Sequence, residues 1–146
     1  MFHKSPPTLG RQILAVIVGL LASFMVVAIV EWVGHRMYPV PEGFDFTGDE
    51  AVIREFIANL PVGALLMVLL AWTLGVGVGC SAARLIVGMG SSRWPCRIVG
   101  TLFLLLTLTN LWMIPHPTWF GMLAIVLVGG LTALLSKNPR NIPAAA

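Results

Sequence analysis

Two histidines and one glutamate in this sequence can exchange a proton near neutral pH or bind a metal ion. Glu31 and His35 are four positions apart, which places them on one face of a helix, and Tyr38 returns to nearly the same face. His116 lies between two prolines, shortly after Asn110. The sequence predicts a ligand- or proton-linked site built from these polar side chains and one further asparagine: Glu31, His35, Tyr38, Asn59, Asn110 and His116.

Hydropathy indicates which elements position these side chains. Hydrophobic residues make up 58% of the sequence and charged residues 10%, with a mean hydropathy of +0.91. Such a chain has too few polar residues to cover a soluble globule. Four windows reach the roughly 20 apolar residues that a membrane span needs. We therefore predict an all-α, polytopic membrane protein of one domain, 1–146, in which four transmembrane helices form a compact bundle at about 13–37, 60–83, 98–114 and 118–136.

Charges are sorted along the chain. All six acidic residues lie between Glu31 and Glu55, whereas most of the nine basic residues lie elsewhere. The basic residues outside that segment are Lys4, Arg11, Arg84, Arg93, Arg97, Lys137 and Arg140. Because short cytoplasmic loops carry an excess of Lys and Arg, the pattern predicts a bacterial inner-membrane protein with both termini in the cytoplasm. Loop 38–59 then faces the periplasm, and loop 84–97 and tail 137–146 face the cytoplasm.

The first apolar window could instead belong to a signal peptide, since Lys4 and Arg11 precede it. The window is longer than the roughly 7–15 residues of a signal-peptide core, and no A-x-A-like cleavage site follows it. We therefore expect a retained helix.

Small residues recur at every fourth position in several predicted spans. Helices in a bilayer pack through such residues, because lipid gives them no hydrophobic drive to associate. The first span has Ala15, Gly19 and Ser23, the second has Gly63, Ala71, Gly75, Gly79 and Ala83, and the fourth has Gly121, Ile125, Gly129 and Ala133 on one row. The first row continues by fours through Val27 to Glu31 and His35. Close packing is therefore expected to bring the polar residues together just below the outer surface.

The outer loop predicts a short helix that lies on the membrane surface. Pro39 and Pro41 cannot continue a helix, so the first span should end near Met37. Thr47 to Glu50 has the form of a capping box, with Thr47 as the N-cap. Glu50 and Arg54 form an i,i+4 pair. Pro61 either kinks this helix into the membrane or starts a new helix capped by Asn59.

Three interpretations of the polar cluster stay open, because a carboxylate inside a membrane is costly and usually faces the protein interior. In the first, Glu31 pairs with His35 or Arg36 and bonds to Asn110 in a structural network. In the second, the cluster binds a proton or a substrate. In the third, Glu31, His35 and His116 bind a divalent metal, with zinc as the candidate cofactor.

Nucleophilic catalysis is not expected from this sequence. The motifs H-E-x-x-H, G-x-S-x-G and the P-loop do not occur in it. Cys80 and Cys96 fall at the predicted cytoplasmic end, so we expect reduced thiols, separated by the membrane from His35 and His116. An enzyme is therefore the least favoured class.

Two segments, Glu31–Gly43 with the pattern E-x-x-G-H-x-x-Y-P-x-P and Asn110–Pro117, resemble small, functionally uncharacterised bacterial inner-membrane proteins with four helices. The resemblance covers the whole chain. It implies that the outer-face residues belong together, and it implies no activity.

The sequence is compatible with two functions. In the first, the protein is a small binding or transport component that self-associates through its small-residue rows and has a site open to the periplasm. In the second, it is an accessory or assembly subunit that docks onto a larger membrane protein, and its polar cluster is purely architectural. The lipid bilayer is a partner in both. Nucleic acid is not an expected partner, because the basic residues are spread over three segments without aromatic interleaving.

Overall fold

A computed structural model of the chain describes residues 7–45, 47–88 and 92–137. The described part folds into five helices: α1 (Leu9–Met37), α2 (Glu50–Ala58), α3 (Val62–Val87), α4 (Trp94–Met113) and α5 (Thr118–Ser136). All except α2 are long and apolar enough to cross a membrane. The predicted all-α bundle of four long apolar helices, with a short helix between the first two, is confirmed. Lys4, Arg140 and Ser91 lie outside the described residues.

The ends of the long helices follow local sequence signals. Thr8 caps α1, because its Oγ accepts a hydrogen bond from the backbone N–H of Arg11 at 3.4 Å. The predicted end of α1 at Met37, shortly before Pro39, is confirmed. Pro117 directly precedes α5, where its missing N–H costs nothing.

The N-terminus of α2 differs from the predicted capping box. Thr47 is not the N-cap, because its N–H and its hydroxyl both donate to one Asp45 carboxylate oxygen, at 2.8 and 2.7 Å. Asp49 is the N-cap instead and accepts a first-turn backbone N–H at 2.8 Å. The predicted pair of Glu50 and Arg54 is confirmed, with 2.7 Å between carboxylate and guanidinium.

Pro61 starts a new helix and does not kink α2. α2 ends at Ala58, and Pro61 is the N-cap residue of α3, without a side-chain hydrogen bond. The expectation that Asn59 caps α3 is wrong. Its side-chain amide donates to the Glu55 carbonyl at 2.9 Å, so Asn59 closes the C-terminus of α2.

The small-residue rows of α1 and α3 face each other. Ala15, Gly19 and Ser23 are buried on α1, and Ala71, Gly75, Gly79 and Ala83 are buried on α3. A Cβ atom at Gly79 would lie 2.6 Å from the Gly19 carbonyl oxygen, and one at Gly19 would lie 2.8 Å from the Gly79 oxygen. The two backbones therefore touch, which only glycine permits. Gly63 is half-buried at the outer end of the row, beside the Tyr38 hydroxyl.

α3 is the central helix and packs against α1, α4 and α5. The predicted packing row on α5 is wrong, because Ile125 is 43% exposed and Ala133 is also exposed. The neighbouring row of Phe120, Ala124 and Val128 is fully buried instead. Phe120 and Val128 fill most of the space on this side of α3, with the small Ala124 between them.

Basic side chains bind the C-terminal ends of two helices at the end of the bundle opposite α2. The Arg11 Nε donates to the Ile86 carbonyl of α3 at 2.6 Å, and the Arg93 guanidinium donates to the Leu135 carbonyl of α5 at 3.2 Å. Such contacts satisfy carbonyls that have no partner within the helix. Cys80 is buried near this end, as a free thiol that donates to the Cys96 carbonyl at 3.2 Å.

Candidate functional site

The bundle contains a cavity of about 230 Å³ at the end that carries α2. Residues from α1, α2, α3, α4 and the α4–α5 connection line it. Five of the six predicted site residues lie on its wall: Glu31, His35, Tyr38, Asn110 and His116. The sixth, Asn59, does not, because its amide turns back to the carbonyl of Glu55 in its own helix. The α1–α3 packing positions the site, since Glu31 and His35 continue the buried row of α1.

Each histidine of the cavity is held by a backbone carbonyl. The Nδ1 of His35 lies 2.8 Å from the Glu31 carbonyl oxygen, and the Nδ1 of His116 lies 2.8 Å from the Ile114 carbonyl oxygen. A carbonyl only accepts, so Nδ1 carries the proton in both rings. In its neutral form each ring therefore presents Nε2 as a hydrogen-bond acceptor.

The carboxylate of Glu31 is half-buried and has no hydrogen bond or ion pair within the described residues. The predicted pairing with His35 or Arg36 is not formed as a close ion pair, although His35 is near enough to act on the carboxylate electrostatically. His35 bonds to the backbone of Glu31 and not to its carboxylate. The Arg36 guanidinium lies over the Trp32 ring, 4.9 Å from its centroid. Arg36 is five positions from Glu31, about 140° around the helix, and so points away from the carboxylate.

The candidate zinc ligands do not form a metal centre. Within the described residues, no three His, Cys, Asp or Glu side chains come together closely enough to hold a metal ion. Glu31 and His35 lie on α1, whereas His116 is stacked on Phe120 of α5, with ring centroids 4.6 Å apart and planes 9° apart. His116 is thus held against α5, whereas the other two candidate ligands lie on α1.

The cavity also has an aromatic wall, which the sequence pattern did not predict. Trp72 of α3 is 7% exposed and lines the cavity. Its ring meets His116 at 6.5 Å and Phe120 at 5.7 Å, both edge-on. One signal for this role was present, because Trp72 alone among the tryptophans lies in the middle of a predicted span, away from the headgroup level that Trp prefers.

The short helix α2 covers the cavity from outside. Phe56 and Ile57 of α2 lie on the cavity wall, and Ile57 is buried. The Phe56 ring also packs on Phe44 of the preceding loop, at 4.2 Å between centroids. The loop and α2 therefore form an apolar cover above the polar side chains.

Protonation of His116 is expected to destabilise the fold. Burial lowers the pKa of His116 below its ordinary value, and the hydrogen bond to Ile114 offsets part of this effect. The unfolded chain therefore binds more protons than the native protein between the lowered pKa and about 6.5. The contribution of neutral His116 to the free energy of unfolding should be complete above that range. The free energy of unfolding should then fall as the pH is lowered through the range.

Equilibrium unfolding of the purified protein from pH 8 to pH 5 tests this expectation. His116→Gln cannot titrate, so its stability should fall less than that of the wild type over the same interval. Identical pH profiles for both proteins would show that His116 does not charge on unfolding.

No protein-family model matches the chain, and neither the curated proteins nor the solved structures include one with significant similarity to it.

Proposed function

We propose that this chain is a small binding or transport component of the bacterial inner membrane, which holds a small molecule in the cavity of Glu31, His35 and His116. One observation carries the proposal: polar side chains from α1, α4 and the α4–α5 connection converge on an apolar cavity without bonding to one another in the described structure. Glu31, Asn110 and His116 are half-buried, and polar groups that are partly removed from water normally find partners. A ligand that enters the cavity would supply them.

The outside of the bundle supports a membrane location. Large apolar side chains point outward from every long helix, including Leu21 and Met25 of α1 and Val126 of α5. Contiguous apolar surface of this extent is costly in water and normal in lipid. The described basic residues Arg11 and Arg93 lie at the end opposite the cavity. Because cytoplasmic loops carry an excess of positive charge, the basic end and both termini would face the cytoplasm. The cavity would then face the periplasm.

The alternative function, an accessory subunit with an architectural polar cluster, predicts a different geometry. Groups that hold helices together bond to each other, because an unsatisfied network is worse than an apolar contact. Glu31 and Asn110 line the cavity, and their side chains form no hydrogen bond within the described residues. The observed arrangement therefore favours ligand binding over an architectural role.

The cavity has the size and cover expected for a small ligand. Its volume of about 230 Å³ lies just below the roughly 300–1,000 Å³ of pockets for drug-sized molecules. Its wall is mostly apolar, with a few polar groups at one level, which is the usual composition of such sites. Movement of α2, which the Asn59–Pro61 break separates from α3, would admit the ligand from the periplasmic side.

Filling the cavity should abolish binding. Ala64 lines the cavity and Ala133 is exposed on α5, so Ala64→Leu and Ala133→Leu add the same atoms at an occluding and at a neutral position. We expect several members of a panel of small cationic, neutral and anionic fragments to raise the unfolding midpoint of the wild type and of Ala133→Leu. Ala64→Leu should lose that response. Ligand binding stabilises by RT ln(1 + [L]/Kd), about 2.7 kcal/mol at a hundredfold excess over Kd.

A panel in which no fragment stabilises the wild type would contradict the proposed function. Stabilisation that persists unchanged in Ala64→Leu would place the binding elsewhere on the molecule. Co-purification of a stoichiometric membrane protein, together with an unresponsive cavity, would favour the accessory function.

A further inference from the structure

The cavity carries one acidic group and, among the described residues on its wall, no lysine or arginine. The nearest arginine in sequence, Arg36, lies against the Trp32 ring. The other arginine at this end of the bundle, Arg54, is paired with Glu50 on the surface of α2. Among the described residues, the carboxylate of Glu31 therefore has no lysine or arginine beside it, and the group that acts on it electrostatically is His35 of the same helix.

The other elements that face Glu31 add no compensating charge. α3 contributes apolar side chains, among them Met67, Val68 and Trp72, and α2 contributes Phe56 and Ile57. His116 lies in a half-buried position that favours its neutral form. His35 also lines the cavity, one turn along α1, and is near enough to act electrostatically on the Glu31 carboxylate. Its Nδ1 proton is bonded to a backbone carbonyl, and its neutral form adds no charge.

We propose that the ligand is a small organic cation, such as a substituted ammonium, and that Glu31 is its counter-ion. The inference rests on the binding function proposed above. A carboxylate held among apolar groups is costly unless a charge of opposite sign accompanies it. An organic cation supplies that charge, and its apolar substituents match the rest of the wall. An anion would be repelled by Glu31, and a neutral molecule would leave the carboxylate uncompensated.

Aromatic rings on the wall provide a second contribution to cation recognition. Trp72 and Tyr38 both line the cavity. Indole and phenol faces attract ammonium groups, most strongly where water is excluded. Trp72 is buried, with its ring edge-on to Phe120. The cation would thus sit between a carboxylate on α1 and the aromatic groups of Tyr38, which directly follows α1, and of Trp72 on α3.

Three probes with nearly the same shape test the charge of the ligand. Choline is a cation, 3,3-dimethyl-1-butanol is its neutral isostere, and 3,3-dimethylbutanoate carries the opposite charge. Their affinities are measured by isothermal titration calorimetry on the full chain in a nonionic maltoside detergent, which has no choline headgroup. We expect choline to bind at least about tenfold more tightly than the alcohol, the effect of one charge-assisted contact. The anion should bind weakest.

Variants at Glu31 assign the effect to this residue. Glu31→Gln should lose at least about tenfold in choline affinity and bind the alcohol as the wild type does. Glu31→Asp keeps the charge and should keep the preference for the cation. Glu42→Gln, in the exposed loop, removes an equal charge outside the cavity wall and should leave all three affinities unchanged.

Three different results would overturn the inference that the ligand is a cation. Equal binding of choline and the alcohol by the wild type would overturn the cation inference, even if Glu31→Gln failed to fold, and would leave the binding function intact. The same conclusion follows if none of the three probes binds while other fragments stabilise the wild type but not Ala64→Leu. Loss of choline binding in both Glu31→Gln and Glu42→Gln would indicate a surface-charge effect and would also overturn the inference.

Discussion

Replacing Trp72 by alanine should lower the free energy of unfolding by about 2–4 kcal/mol. Core Trp-to-Ala changes in soluble proteins cost about 3–5 kcal/mol, which includes the transfer of the side chain from water. At the membrane location proposed above, the unfolded helix keeps its side chains in lipid, so only the packing contribution is lost and the lower range applies. Trp72 is 7% exposed and contacts Phe120 and His116, so its removal leaves a void beside the cavity.

Trp112 provides the matched control for this variant. It is 87% exposed near the end of α4, so Trp112→Ala should change the free energy of unfolding by less than about 1 kcal/mol. Both proteins are compared by equilibrium unfolding in mixed micelles, with helicity measured by circular dichroism because the variants change the fluorescence itself. Equal losses from the two substitutions would show that the Trp72 side chain is not packed in the bundle.

Gly79→Ala should destabilise the protein by about 1–3 kcal/mol, the usual cost of overpacking a close contact. A methyl group at this position would lie 2.6 Å from the Gly19 carbonyl oxygen and would also meet the Ser23 hydroxyl. Ser23 could rotate, but the carbonyl belongs to the backbone of α1. The whole helix must move outward, and Glu31 and His35 at its far end would move with it.

Gly130→Ala is the corresponding control on α5. A Cβ at Gly130 meets nothing within 4 Å, so this change should be neutral or stabilise the helix by up to about 1 kcal/mol. The unfolding measurement is the same as for Trp72. Similar stability of Gly79→Ala and Gly130→Ala would mean that α1 and α3 are not in backbone contact.

Much of the fold could be predicted from composition and spacing. Long apolar windows interrupted by proline and charge determine where helices begin and end, because both signals are local. The contact between Gly19 and Gly79 could also be predicted from the sequence, because a row of small residues defines one helix face. The face of α5 that is buried could not be predicted, because two neighbouring rows of this helix are both apolar. Which row is buried depends on how Phe120 fits against Trp72.

Some of the site residues could likewise be predicted from the sequence, and others could not. Glu31 and His35 follow from the row that begins at Ala15, and the structure places both on the cavity wall. Asn59 was assigned to the site from its level in the chain, but a local hydrogen bond decides its orientation. Trp72 was missed because a tryptophan within a span is compatible with ordinary core packing. Spacing locates a residue on a helix, whereas side-chain direction depends on neighbours that are distant in sequence.

The central position of α3 has a consequence for how the protein is made. Helix α1 emerges from the ribosome before its main partner α3, which ends only at Val87, fifty residues after Met37. At a synthesis rate of about 5–20 residues per second, roughly 2.5–10 s pass between the synthesis of the end of α1 and that of the end of α3. During that time Glu31 and Ser23 lack the side chains of α3 that surround them in the folded bundle.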